Sequence, residues 1–251
     1  MKRFYLSVLF LCSFGSLFAG GPSFAFCDYS QGKVFIQENG EIVWEHKAPD
    51  SNDIWVLPNK NILFTAGKEV LEVSRKNDTI FHYTSESNIF ACQRLKNGNT
   101  FIGECDNGRL LEVSPDGSIV KDVSILPFGV KTGGHAFMRN ARCLDNGHYL
   151  VAHYGGKSVV EYDENGKAVW NIPVPGGAHS VIRLPSGNTL VAVTDKDNNP
   201  GVFEYDMAGN IVWSLTNKDL PGTLKFAGGM HYLSDGRLFL TNWVGHVDAK
   251  N

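Results

Sequence analysis

Five segments of the chain superpose without gaps, and a repeat of this kind constrains the architecture before any local propensity does. They are VLPNKNILFTA from Val56, RLKNGNTFIGE from Arg94, CLDNGHYLVAH from Cys143, RLPSGNTLVAV from Arg183 and YLSDGRLFLTN from Tyr232. Their shared centre is Asn-Gly or Asp-Gly in the best copies. Those residues supply the positive φ of a tight turn, and the flanks alternate apolar with polar side chains. Each copy therefore predicts a β-hairpin.

A second hairpin follows each of the first four copies, in EVLEVSRKNDTIF from Glu69, RLLEVSPDGSIV from Arg109, VVEYDENGKAVW from Val159 and VFEYDMAGNIVW from Val202. The segment KVFIQENGEIVW from Lys33 is another copy of this second hairpin, with no complete first hairpin before it. Units of four antiparallel strands, roughly 40 to 50 residues each, predict an all-β fold and a β-propeller of four-stranded blades. A two-sheet sandwich also uses short strands and turns, but it does not explain repeats that match in their turn residues. No convincing helical period competes. Two closures fit the strand count: six blades with an incomplete last one, or five blades with the termini completing a shared blade. The polar GHVDAKN from Gly245 carries no strand signal, so the first is expected, with the propeller over residues 20–251 and truncated at its carboxy end.

Met1-Lys2-Arg3, the apolar run from Phe4 to Phe18 and then Ala19-Gly20 have the three regions of a secretory signal, so residues 1–19 are read as a cleaved leader. The run is shorter than the roughly 20 residues of a membrane span, and no span is expected after cleavage. Loss of Lys2 and Arg3 moves the formal net charge of −3 two units further negative, which argues against a nucleic-acid partner. The exported protein would be periplasmic, cell-surface or extracellular. Cys27, Cys92, Cys105 and Cys143 match no metal or haem spacing. They are read as buried small hydrophobes, with disulfides as the competing reading.

The second hairpins end in an acidic residue, a turn Gly and an apolar-Trp strand, closely so at residues 161–170 and 204–213 and more loosely at 35–44, while 112–121 lacks the Trp. In this they resemble the PQQ-like repeat β-propellers of the quinoprotein dehydrogenase-like superfamily. Residues 27–246 look like a family of secreted bacterial propellers described by that repeat. In that family a further hairpin and a closing strand follow the counterpart of Gly245-His246, which supports truncation. True quinoprotein dehydrogenases have eight blades, calcium-binding acidic and amide residues and often adjacent cysteines. Those features are missing here, so no PQQ site and no other cofactor are expected.

Turns within hairpins fall on one side of a propeller and the connections between hairpins on the other. The longer connections are LPFGVKTGGHAFMRN from Leu126, PVPGGAHS from Pro173, DKDNNPG from Asp195 and NKDLPGTLKFAGGMH from Asn217, and they mark the second side as the binding face. Three of them place two glycines shortly before His135, His179 or His231. The ligand-binding candidates are His135, Arg139, His153, Tyr154, His179, Asp195, His231, Asn242, Trp243 and His246, which mix donors, acceptors and stacking surfaces. Each glycine-preceded His has an equally good structural reading, in which it caps a strand and satisfies a buried carbonyl. Metal is not assigned, because spacing cannot test ligands drawn from different blades. Gln93, Arg94, Arg142 and Arg183 are expected to line the channel, where a buried guanidinium needs a carboxylate, a carbonyl or an anionic ligand. Arg94 and Arg183 recur at one repeat position and read better as structural bonds. Arg139 is read as off the pattern and hence as the functional arginine.

These residues leave three functional expectations. A binding or scaffold protein recognising a small polar or acidic ligand, such as a carbohydrate, comes first. A carbohydrate-active enzyme of lyase or hydrolase type, using His, Tyr and Arg on the same face, comes second, and a His-dependent sulfotransferase-like enzyme third. The absence of a nucleophile elbow, a phosphate-cradling loop or a zinc-protease motif removes several other classes. Which residues would be catalytic is left unassigned, as is the oligomeric state.

Overall fold

A computed structural model describes residues 23–127, 129–195 and 198–243, with residues 195, 198 and 199 described by backbone alone. Residues 1–22, which include the expected leader, residue 128, residues 196–197 and the segment from 244 on, which includes His246, lie outside the described residues. The chain is all-β. Blade 1 holds β1 (Phe24–Asp28), β2 (Lys33–Glu38) and β3 (Glu41–Lys47). Blade 2 holds β4 (Ile54–Val56), β5 (Ile62–Ala66), β6 (Glu69–Val73) and β7 (Thr79–Thr84). Blade 3 holds β8 (Ile89–Arg94), β9 (Thr100–Glu104), β10 (Arg109–Val113) and β11 (Ile119–Ser124).

Blade 4 follows with β12 (Asn140–Cys143), β13 (Tyr149–His153), β14 (Ser158–Tyr162) and β15 (Ala168–Pro173). Blade 5 has β16 (Gly177–Arg183), β17 (Thr189–Asp195), β18 (Asn198–Tyr205) and β19 (Ile211–Thr216). The described chain closes with the hairpin of β20 (Ala227–Tyr232) and β21 (Leu238–Asn242). Among the described residues, blades of three or four strands thus number five rather than the expected six, the count of the second closure, and β20–β21 forms a separate two-stranded sheet. No helix among the described residues is long and apolar enough to cross a membrane.

The repeated turns do what their residues require. Gly98, Gly147, Gly187 and Gly236 sit at φ between 84° and 90°, and Lys60 takes φ 70° at the corresponding place in the one copy that has no Gly there. The core lies between blades. Phe90, Phe101 and Leu110 of blade 3 pack against Ala141, Tyr149 and Val151 of blade 4, and blades 4 and 5 meet through Leu150, Ala152, Ala178, Val181 and Val191. Each blade therefore buries one face against the next, which is why the fold needs the repeat.

One irregularity positions the site. The pairing of β8 with β9 shifts between Ile89 and Ala91, and that of β16 with β17 between Ala178 and Ser180, leaving Phe90 and His179 as the extra residues of two bulges. Phe90 stands four residues before Arg94, and His179 four before Arg183. Arg139 stands four before Cys143, at the same repeat position. The expectation that Arg139 falls outside the pattern is thereby corrected: three successive blades offer Phe90, Arg139 and His179 from equivalent places.

Candidate functional site

The central cavity has a volume of about 1890 Å³, above the roughly 300–1000 Å³ of a small-ligand pocket, and draws its wall from β1, β4, β12, β16, β20 and β21. Strand β8 contributes no lining residue. Inner strands of blades 2, 3 and 4 are instead tied together there. The Asp53 carboxylate accepts from both terminal nitrogens of Arg142, at 2.7 and 3.0 Å, and from the Cys92 amide at 3.0 Å. Gln93 exchanges two bonds with the Cys143 backbone.

Three arginines of the innermost strands carry a carboxylate partner. Arg94 donates to Glu72 at 2.6 Å and Arg183 to Glu161 at 2.6 Å, each joining a blade to the preceding one, and both also donate to the carbonyl of their own hairpin's turn Gly. The guanidinium of Arg183 lies 4.6 Å from the Trp170 ring centre, that of Arg142 5.1 Å from Trp55 and that of Arg94 5.4 Å from Phe81. Of the expected channel-lining residues, Arg142 and Arg183 line the cavity while Gln93 and Arg94 do not.

Arg139 is different. Among the described residues no carboxylate forms a salt bridge with it. Its guanidinium sits over Phe90 at 4.8 Å and Tyr154 at 5.5 Å, and Nη2 lies 2.8 Å from Nε2 of His135. Nε is shut off from solvent and unpaired. Burial lowers its pKa, as it must for a cation moved toward an apolar wall without a counter-charge.

The histidines respond to that charge. Burial first and Arg139 second push His179 down to about 4, and the same two causes lower His135, with Asp106 pulling the other way. Both rings are neutral at neutral pH. A run of edge-to-face contacts, Tyr154–His179 at 6.4 Å, His179–Phe226 at 5.0 Å and Phe226–Trp243 at 5.0 Å, builds an aromatic wall beside the cation. Tyr29 faces the same cavity.

The loop that carries His135 and Arg139 is pinned at many points. Gly133 N–H and the Thr132 hydroxyl both donate to the Asp106 carbonyl, Gly155 N–H donates to the Ala136 carbonyl, and Arg139 N–H to that of Ala152. The glycine pairs have a packing reason: a Cβ on Gly133 would fall on the Phe137 ring, and one on Gly177 would fall on the Tyr154 ring. They let the backbone pass close under an aromatic side chain.

His135, Arg139, Tyr154, His179, His231, Asn242 and Trp243 all line the cavity. His153 does not: it is buried and fully engaged, with Nδ1 against the Phe137 carbonyl at 2.9 Å and Nε2 against the Tyr162 hydroxyl at 2.9 Å. Asn242 accepts from the amides of Lys225 and Phe226 and donates to the Thr223 carbonyl, so it braces the preceding loop. His231 stays in regular register opposite Phe239 and is exposed. Asp195 ends β17, with its side chain outside the described residues. Sequence reading missed Asp53, Phe90, Phe226 and Tyr29. The four-residue offset from Arg94 and Arg183 was the signal that would have found Phe90.

No group of three or more His, Cys, Asp or Glu among the described residues is placed to hold a metal. The four described cysteines are free thiols, and burial raises Cys27 to about 12 and Cys105 to about 11. They are poor nucleophiles.

No family profile matches the chain, and no curated protein matches its sequence. Solved structures match its fold. A protein of unknown function from Bacteroides caccae superposes with a TM-score of 0.78 at 23% identity, covering 89% of this chain and 84% of that one. A streptogramin B lyase gives 0.65 at 15% identity over 88% and 73%. A catalytically inactive histidine-to-alanine variant of virginiamycin B lyase from Staphylococcus aureus, with quinupristin, gives 0.61 at 14% identity over 90% and 78%. At these identities the likeness shows the β-propeller fold, and function has to be argued from the site.

Proposed function

We propose that this propeller is a recognition protein that binds a carboxylate-bearing ligand, such as an acidic oligosaccharide, in its central cavity. The observation that carries this reading is the Arg139 guanidinium, which lines the cavity with aromatic faces and a neutral imidazole as neighbours but, among the described residues, no carboxylate. A ligand anion supplies the counter-charge that Glu72, Asp53 and Glu161 supply to the other arginines. The wall of Tyr154, Phe226 and Trp243 offers stacking surfaces for the C–H face of a sugar ring. Cavity volume suits an oligomer better than a single small molecule.

Binding of galacturonate and neutral glucose oligomers to the wild type and Arg139→Ala tests this. The reading expects saturable binding of the acidic oligomer, weakened at least about tenfold by the substitution and by salt. Equal binding of the neutral oligomer, or full affinity in the variant, would sink it.

A second reading, elimination at the same site, draws on the lyase neighbours, one of which is inactivated by loss of a histidine. Two features weigh against it. The Nε2 lone pair of His135 already accepts from Arg139, and a His179 held near pKa 4 is a weak base. An unsaturated product in the binding assay would favour elimination. We also carry forward export, on the leader-like residues 1–19, and kinship with PQQ-like repeat propellers, on residues 161–170 and 204–213. Secretion of the full chain from a bacterial host with loss of residues 1–19 tests the first.

A further inference from the structure

We propose that His135 is a second ligand-contacting donor, which takes up a proton when a carboxylate arrives and then closes with Arg139 as a two-pronged clamp on the anion. The proposal rests on the anion-binding reading of the cavity and names a residue and a proton that reading does not require.

A guanidinium has only donors, so the 2.8 Å contact between Nη2 of Arg139 and Nε2 of His135 makes Nε2 the acceptor and puts the ring's one proton on Nδ1. The unliganded pair is a neutral imidazole capping a cation that has no carboxylate partner among the described residues. What holds the proton off is partial burial, with the positive charge beside it. A bound carboxylate at the guanidinium cancels the second of these. A proton from solvent then adds to Nε2. Two donors cannot bond to each other, so the Arg–His contact opens and both N–H groups turn to the same anion. One ligand and one proton enter, no covalent bond forms or breaks in the ligand, and the site's charge rises by one to meet it.

The groups around His135 are consistent with this exchange. Asp106, on the turn between β9 and β10, favours the protonated ring but is held by the Asn88 side chain at 2.7 Å and its backbone amide at 3.2 Å, so it neither reaches Arg139 nor closes the site. Phe90 meets the ring edge-on at 5.4 Å. The Cys105 thiol is directed at the carbonyls of Gly134 and His135 and stays protonated. His179, which also feels the Arg139 charge, is buried more deeply and stays neutral to lower pH. Tyr154 stacks on Arg139 rather than on His135.

The test is calorimetry of the full chain with galacturonate trimer at about pH 7, in buffers of differing ionisation enthalpy, with affinity followed from about pH 8 to about pH 5.5 across the histidine range. The wild type should take up a fraction of a proton that approaches one per ligand, and bind more tightly as pH falls, by up to about tenfold per unit. His135→Gln, which retains an acceptor for Arg139, should bind without proton uptake and with a flat pH profile; His135→Asn, checked by circular dichroism, serves if that variant misfolds. Uptake unchanged in the variant, or none in the wild type, overturns the clamp. No binding by the wild type at any pH overturns the anion-binding reading itself.

Discussion

Arg183 and Arg139 both face the central cavity of one propeller, yet only one is electrically complete. Arg183 is stacked on Trp170 and closed by Glu161 from the preceding blade. Arg139 is stacked on Phe90 and Tyr154, and its guanidinium meets a histidine nitrogen and, among the described residues, no carboxylate. The aromatic support is alike and the counter-charge is not. A buried cation whose partner is built into the neighbouring blade is part of the scaffold, whereas one that the scaffold leaves uncompensated is stabilised when an anion arrives.

The contrast can be broken first where it should be largest. Asp53→Ala leaves Arg142 buried without its carboxylate and the Cys92 amide without an acceptor, and should cost about 3–5 kcal/mol in urea unfolding. A loss under about 1 kcal/mol would show that the inner ion pairs are not structural. Acid should act next. His179 has a folded pKa near 4, below its unfolded value near 6.5, so the unfolded chain binds the extra proton between those limits. Its stabilising contribution is complete above about pH 6.5 and falls away by up to about 3 kcal/mol as pH drops to about 4. His179→Asn should flatten that part of the stability–pH curve; an unchanged curve would remove His179 as its cause.

Gly133→Ala should displace Phe137 and the loop that carries His135 and Arg139, costing about 1–3 kcal/mol in stability and also weakening ligand binding. Loss of stability with full affinity would mean that loop geometry does not set the site. The smallest stability effect belongs to Arg139→Ala, which removes a cation with no ion pair among the described residues and should change unfolding free energy by less than about 1 kcal/mol while weakening ligand binding at least about tenfold. If it destabilised the protein as much as Asp53→Ala, Arg139 would join the scaffold and the comparison would fail.

The blades were legible because their determinants are local. Turn residues and alternation around Gly98, Gly147, Gly187 and Gly236 define the hairpins directly, and the repeat then stacks them. The glycine pairs ahead of a histidine were legible as loop signals, but their outcomes diverge: His135 meets Arg139, His179 is turned inward by a bulge, and the exposed His231 stays in regular register. Bulge placement depends on pairing with the next strand, which spacing alone does not reveal. Arg142 illustrates the other gap. Its partner Asp53 is 89 positions away, next to a blade two places earlier, and only the stacking of blades 2, 3 and 4 around the cavity brings them together.

The most direct test is a crystal structure of the protein with bound galacturonate trimer. The account predicts a carboxylate within hydrogen-bond distance of the Arg139 guanidinium, with Arg142 and Arg183 still held by Asp53 and Glu161. A ligand carboxylate seated away from Arg139, or one that displaces Asp53 or Glu161 from its arginine, would contradict it.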